Sequence, residues 1–162
     1  MTGIVERAPD PALRTLLPGA DFADAFALAV PGKLNAGEAS RRVMGRTPSW
    51  AATLIAVRDC LVAPFRLKTS AQYVNSKVDR VGIFPVVEAD DSHVVLGFPD
   101  RHLDFRVVVA TEPRHDETMI TVTTLVRTHN LLGRVYLACI KPFHRLIVPA
   151  MLRQAEEAEA SS

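Results

Sequence analysis

Two strand-like runs followed by a long amphipathic segment constrain the fold of this chain more than any other feature of its sequence. In the first run, residues 102–111, apolar and polar side chains alternate with the period of a strand that buries one face. The second run, residues 118–128, has the same period, and the polar segment 112–117 between them has the composition of a hairpin loop. We expect a hairpin in which Thr111 faces Thr118, because this register places both apolar sets on one face.

The segment after the hairpin predicts a long C-terminal helix. Its apolar residues recur at helical spacing from Leu132 onward, and Pro142 within it predicts a kink, since proline cannot donate the helical hydrogen bond. A helix with a wide apolar face needs a surface to cover, and the apolar face of the hairpin is the nearest one. The predicted stripe consists of Val135, Tyr136, Cys139, Ile140, Phe143, Leu146, Ile147, Ala150 and Met151.

The N-terminal half predicts a strand and two short helices. Residues 1–20 contain three prolines and few large apolar side chains, which is typical of an extended arm. Residues 21–30 alternate bulky side chains with alanines and predict a strand. Asn35 resembles the N-cap of a first short helix, and Thr47-Pro48 predicts the start of a second one, which Pro64 ends.

The middle of the chain predicts further antiparallel strands. Residues 82–88 and 93–98 flank the turn signal Asp90-Asp91. We therefore expect one α+β domain over residues 21–157, followed by a frayed tail at 158–162. In this helix-grip arrangement a curved antiparallel sheet wraps around a long C-terminal helix, and two short helices follow the first strand.

Composition excludes several classes of function. The chain has 162 residues, 48% of them hydrophobic, and a formal net charge of +1, with no basic cluster interleaved with aromatic residues that would favour nucleic acid. Cys60 and Cys139 lie among apolar residues and suggest buried free thiols in a reducing compartment. We find no secretory leader pattern and expect no run of bilayer-spanning length, so a cytoplasmic location is expected.

Several short strings resemble an uncharacterised bacterial family, the domain of unknown function 2867, over residues 21–153. They are Phe84-Pro85, the HLDFR string from His102 to Arg106, Thr123-Thr124, His129-Asn130, Gly133-Arg134, and the PFHR string from Pro142 to Arg145. The resemblance implies the START/Bet v 1-like superfamily, and with it small hydrophobic ligands, lipid transfer, or cyclase and dehydratase chemistry. Similar domains stand alone or beside an oxidoreductase-like domain that binds a nicotinamide dinucleotide, which implies an oxidoreductase partner or a homodimer. This chain contains no GxGxxG loop, so we expect no cofactor of its own.

The polar candidates for a site have two interpretations each. Asp104 and Arg106 lie either on the solvated back of the sheet or, where the sheet curves inward, in a ligand pocket. Either His129 and Asn130 cap the strand-to-helix junction while His144 faces solvent, or His129 and His144 act as acid and base on a bound ligand. Metal binding by His102, Asp104 and His129 has suitable residue types but no supporting spacing, so no metal site is expected.

Three functions remain open. The first is binding of a small hydrophobic or amphipathic molecule in a cavity between the sheet and the C-terminal helix. The second is a cyclase- or dehydratase-type enzyme that uses Asp104, Arg106, His129 or His144, and the third is a filled domain that acts through a protein partner. The residues expected to line the cavity are Trp50, Leu103, Phe105, Val107, Val122, Val126, Tyr136, Ile140, Phe143 and Ile147.

Overall fold

A computed structural model describes residues 3–46 and 79–160 of the chain, together with the isolated residues 49, 52, 53, 56 and 63. The described part is an α+β structure with a long C-terminal helix packed on an antiparallel sheet, which confirms the predicted fold class. Its strands are β1 Val5–Arg7, β2 Phe22–Pro31, β3 Arg80–Val81, β4 Phe84–Ala89, β5 His93–Pro99, β6 Leu103–Arg114 and β7 Glu117–Thr128, and its α-helices are α1 Ala36–Met44 and α2 Leu131–Ala160.

The strand order of the described sheet is β1-β2-β7-β6-β5-β4-β3, with antiparallel pairing throughout. Strand β7 lies between β2 and β6, so the first long strand of the chain pairs with the last one. Loop closure over such a span costs conformational entropy, which the extended ladder and its buried side chains must offset. The ladder pairs Phe22 with Val126 at one end and Pro31 with Glu117 at the other.

The β6–β7 hairpin has a different register from the predicted one. Thr111 faces Ile120, because the strands continue to Arg114 and Glu117 and leave a turn of only two residues, with His115 at a φ of 46°. The polar composition of 112–117 indicated a longer loop than the chain forms. The shift amounts to two residues, and side chains alternate faces with a period of two, so the predicted apolar faces still coincide.

The N-terminal segment contributes an edge strand and a short 3-10 helix. Strand β1 pairs with β2, and residues Pro11–Leu16 form the 3-10 helix, which Asp10 caps by accepting a hydrogen bond from the backbone N–H of Ala12. Leu13 and Leu16 lie beside Val108, on the sheet face that turns away from α2. Val95, Val108 and Leu125 at the centre of that face are buried, so it is not a solvated back.

Both described α-helices begin at an asparagine. Asn35 accepts a hydrogen bond from the backbone N–H of Glu38, as predicted for the first short helix. Asn130 accepts one from the backbone N–H of Gly133 at the start of α2. A side chain at Gly133 would overlap the carbonyl oxygen of His102, so glycine lets α2 start against β6. The predicted second helix, from Thr47 to Pro64, lies almost wholly outside the described residues.

Helix α2 has two unequal halves. Its second half supplies buried core residues, among them Val148, Met151 and Leu152, and the helix continues through Pro142 and Pro149. The first half is far more exposed than the predicted stripe implied. It exposes Leu131, Val135, Phe143 and Leu146 among its large apolar side chains, and the Cys139 thiol, expected to be buried, is also exposed.

The expectation that no run reaches bilayer-spanning length does not hold for α2. Residues Leu131–Glu157 are long and apolar enough to cross a membrane by length and composition. Core helices of soluble proteins share this composition, and part of this helix packs on the sheet and α1. The composition of α2 therefore does not by itself assign it to a membrane.

Replacing Thr118 by valine should lower the free energy of unfolding by about 1–3 kcal/mol, because two buried backbone groups would lose their partner. The fully buried hydroxyl of Thr118 accepts from the Leu34 N–H at 3.1 Å and donates to the Gly32 carbonyl at 2.8 Å. Urea denaturation measures the change. Thr121→Val, at a half-buried position on the same strand, is the matched control. Equal effects of both substitutions would contradict this role.

Asp21 should make part of the stability depend on acid pH. The hydroxyl and then the backbone N–H of Thr128 donate to its carboxylate, both at 2.6 Å, and they hold the pKa of Asp21 below its ordinary value. A carboxyl whose pKa is depressed on folding stabilises the protein above its unfolded pKa. That contribution disappears as the pH falls through the lowered folded value. Asp21→Asn should therefore flatten the loss of stability below about pH 4 in urea titrations, and parallel curves would contradict this.

Candidate functional site

Two polar residues face each other across the β2–β7 ladder, on the side of the sheet that carries α2. Asp24 pairs with Thr124, and each is flanked on its own strand by apolar residues of the same face, such as Phe26 and Val122. Directly opposed residues of antiparallel strands have Cβ atoms about 4.5–5.5 Å apart. A carboxyl and a hydroxyl therefore lie side by side on an otherwise apolar surface.

Asp24 and Thr124 are almost completely buried, at 6% and 5% exposure. The Asp24 Oδ2 atom and the Thr124 Oγ1 atom are both buried and have no hydrogen-bond partner among the residues that the structure describes. Buried polar groups are nearly always paired, since an unpaired one costs on the order of 1–3 kcal/mol. Asp24 and Thr124, opposed across the ladder, therefore carry a free-energy cost that apolar side chains at these positions would not have.

His144 on α2 reaches the same carboxyl from above. Its Nε2 atom lies 3.1 Å from Asp24 Oδ1, and the imidazole is half-buried, with 18% of its side chain exposed. An ionised carboxylate only accepts hydrogen bonds, so Nε2 is the donor and Nδ1 is the second ring atom. The pair ties the middle of α2 to β2.

Phe22 and Lys141 lie at the edge of this site. The Phe22 ring meets the His144 ring edge to face, with centroids 6.1 Å apart, and the Lys141 ammonium lies 4.9 Å from the centroid of Phe22. These contacts fix the orientation of the imidazole and place one exposed cation at the rim. We refer to Asp24, Thr124 and His144 together as the Asp24 site.

The structure places most of the predicted lining residues on this side of the sheet. On the strands, Val107 and Val122 belong to the core shared with α2, and Phe105 packs against it. The remaining strand residues, Leu103 and Val126, are buried. On the helix, Tyr136, Ile140 and Ile147 are half-buried, whereas Phe143 is 42% exposed. Trp50 lies outside the described residues.

The helical period explains which half of the predicted stripe faces the sheet. Ile140 and Tyr136 precede His144 by one and two turns, so they share the face with which His144 meets Asp24. Val135, Cys139, Phe143 and Leu146 lie on a neighbouring face and are exposed. The sequence analysis predicted one apolar stripe where the helix has these two faces.

The other predicted polar residues form a separate cluster at the junction of β7 and α2. His129 Nε2 lies 3.0 Å from Asp104 Oδ2, and the Asp100 backbone N–H donates to the other carboxylate oxygen at 3.2 Å. Asn130 bonds His102 Nδ1 at 2.9 Å while it caps α2. These contacts suit the structural interpretation, in which His129 and Asn130 hold the junction.

Asp104 and Arg106 lie on the sheet face opposite α2, since the alternate residues Phe105 and Val107 pack toward it. They therefore do not line the space beneath the helix. Among the residues that the structure describes, no three His, Cys, Asp or Glu side chains are arranged to hold a metal ion. Of the four weak catalytic candidates, His144 is the one that reaches the Asp24 site.

Two open clefts lie elsewhere on the described surface. One of about 550 Å³ borders the turn between β2 and α1, and one of about 340 Å³ lies between the 3-10 helix and β6. The first is lined mainly by exposed or structurally bonded groups such as Asn35, the cap of α1, and the second largely by apolar side chains such as Leu13, Leu16 and Val108. Neither contains an unpaired buried polar atom of the kind found in the Asp24 site.

Sequence reasoning missed Asp24 and Thr124, although a signal for each was present. Asp24 has the parity of Phe22, Phe26 and Leu28, so it interrupts the bulky face of its strand. Thr124 interrupts the apolar set of β7 in the same way. A polar residue at a core position of an alternating pattern is a departure that needs either a partner or a function.

The fold and this site define an α+β protein of helix-grip-like architecture with a polar pair buried beneath its C-terminal helix. The family model described as "Protein of unknown function (DUF2867)" matches residues 16–151. The chain therefore belongs to the DUF2867 family. No curated protein and no solved structure matches it.

The Asp24 site should reduce the stability of the protein. Asp24→Leu should raise the free energy of unfolding by about 1–3 kcal/mol, since it removes a desolvated carboxyl with an unpaired oxygen. Denaturation in guanidinium chloride measures the change. Asp104→Leu is the control, because that carboxylate is bonded at both oxygens and should not gain stability. A large loss of stability in Asp24→Leu would show that the bond to His144 outweighs desolvation.

Proposed function

We propose that this protein binds a small apolar or amphipathic molecule between its sheet and the first half of α2, with the polar end of that molecule at the Asp24 site. The observation that carries the proposal is the pair of neighbouring buried atoms, Asp24 Oδ2 and Thr124 Oγ1, which have no hydrogen-bond partner in the described part of the chain. A ligand group placed between them would remove the cost of leaving both unpaired.

The packing of α2 supports the same location. The second half of the helix completes the core with α1, whereas Tyr136 and Ile140 of the first half, on the same helix face as His144, are only half-buried. Apolar side chains that stay partly exposed beside a sheet can gain burial from a bound molecule. The helix-grip arrangement also supports membership of the START/Bet v 1-like superfamily, whose small apolar ligands lie between sheet and helix.

A second candidate is an acid-base enzyme of the cyclase or dehydratase type. The hydrogen bond between His144 and Asp24 favours it, because a carboxylate that orients an imidazole is a common arrangement for proton transfer. Asp104, Arg106 and His129 do not contribute to this candidate, since they lie at the junction or on the opposite face. Conversion of the bound molecule, lost in His144→Gln with binding retained, would distinguish the enzyme from a binding protein.

The first experiment searches for the natural ligand. Protein purified without denaturants is analysed by native mass spectrometry, then denatured, and the extract is searched for a small molecule in stoichiometric amount. The same extraction from Asp24→Leu, which lacks the polar anchor, is the matched comparison. We expect a recurring apolar compound from the wild type and its loss from the variant.

A neutral fluorescent probe locates the site. N-phenyl-1-naphthylamine becomes bright when it leaves water, and we expect saturable binding to the wild-type protein. Ile140→Trp should weaken that binding at least about tenfold, roughly 1.4 kcal/mol, because the indole fills the space beside the sheet. Leu146→Trp, at a position that is 63% exposed, should leave it unchanged. Equal effects of the two substitutions, or no saturable binding, would refute the proposed site.

A further inference from the structure

The unpaired atoms of the Asp24 site also determine which kind of head group the ligand carries. We propose that this site, on the proposed function above, selects an apolar molecule with a hydrogen-bond donor at its polar end, an amine or an alcohol, and rejects one that ends in a carboxylate. The inference concerns the chemistry of the ligand and rests on the binding site proposed above.

The hydrogen-bond donors and acceptors around Asp24 indicate which group a ligand must supply. An ionised carboxylate has acceptors only, and His144 already supplies a donor to Oδ1 of Asp24. The second oxygen, Oδ2, is buried and receives no hydrogen bond from the residues that the structure describes. A hydroxyl or ammonium group of the ligand would complete this shell, whereas a second carboxylate would place two sets of acceptors against each other.

The hydroxyl of Thr124 is the second group that a ligand would contact. This hydroxyl can both donate and accept, and its oxygen has no hydrogen-bond partner among the described residues. It lies on the strand position directly opposite Asp24. The pair can therefore hold one ligand group that donates a hydrogen bond to Asp24. The same group can either accept a hydrogen bond from Thr124 or donate one to it. An alcohol satisfies both requirements, and an ammonium group satisfies them with an added charge on the side of the carboxylate.

Lys141 is the group that would favour the opposite selectivity. Its ammonium lies over Phe22 at the rim of the site and would attract a ligand carboxylate. Lys141 is exposed, so water and salt screen its charge. Asp24, by contrast, is only 6% exposed. A charge interaction is far stronger at the buried group than at the exposed one. We therefore expect Asp24 to decide the preference.

The test uses three probes that share one ring system and differ only in the head group. They are 2-naphthylmethylamine, 2-naphthalenemethanol and 2-naphthoate, titrated into the full-length protein at neutral pH by isothermal titration calorimetry. We expect the amine and the alcohol to bind at least about tenfold more tightly than the carboxylate. Raising the salt concentration should change the order little, because the selecting group is buried.

Two variants test whether Asp24 and Thr124 cause the preference for a head group that donates hydrogen bonds. Asp24→Asn keeps the shape of the side chain and should reduce the preference of amine over carboxylate at least about tenfold, and Thr124→Val should weaken the alcohol most. Asp104→Asn is the matched control, since it alters another Asp-His pair on the opposite face and should leave the order unchanged. Circular dichroism and thermal unfolding confirm that each variant is folded before its titration is interpreted.

The outcomes separate this inference from the proposed function. Equal affinity for the three head groups, a preference for the carboxylate, or the same preference in Asp24→Asn would overturn the selectivity while the neutral fluorescent probe still binds. A carboxylate preference would mean that Lys141 and not Asp24 selects the head group, and the loss of that preference in Lys141→Met would show this. Absence of binding by the neutral probe and by all three naphthalene compounds would instead overturn the proposed function itself.

Discussion

The pairing of β2 with β7 is the interaction on which the rest of the structure depends. It joins the first long strand of the chain to the last one and places them next to each other in the sheet. Because β7 leads directly into α2, the same pairing determines where the helix starts and which strand lies beneath it. The hydroxyl of Thr118 and the carboxylate of Asp21 then close the two ends of this ladder.

The Asp24 site is a consequence of that register. A shift of one residue in β2 would turn Asp24 to the other face, and a shift of two would place it opposite Val122 or Val126 instead of Thr124. The carboxyl comes from β2, far along the chain from the β7 hydroxyl and the α2 imidazole of His144. Their meeting is a property of the sheet, and local sequence patterns do not contain it.

Local periodicity nevertheless predicted the architecture. The alternation in residues 21–30 and 102–128 predicted the strands, and Asn35 predicted the start of α1, because these signals act between near neighbours in sequence. The hairpin register was wrong by two residues, since polar composition does not determine where a turn begins. The helical stripe was too wide, because periodicity cannot show how much of an apolar face the sheet covers. His144 was predicted to face solvent or a ligand, and without Asp24 no choice between the two was available.

The two halves of α2 differ in how far their apolar side chains are buried. Val148, Met151 and Leu152 are buried and contribute apolar area to the core, at about 25 cal/mol per Å². The first half of the helix instead carries His144 over a carboxyl that is costly to bury, and exposes part of its apolar surface. A chain selected only for stability would carry apolar side chains in place of Asp24 and Thr124 and would bury that surface. The two polar side chains instead remain buried in the core at a cost in free energy, because one oxygen of each has no hydrogen-bond partner among the residues that the structure describes.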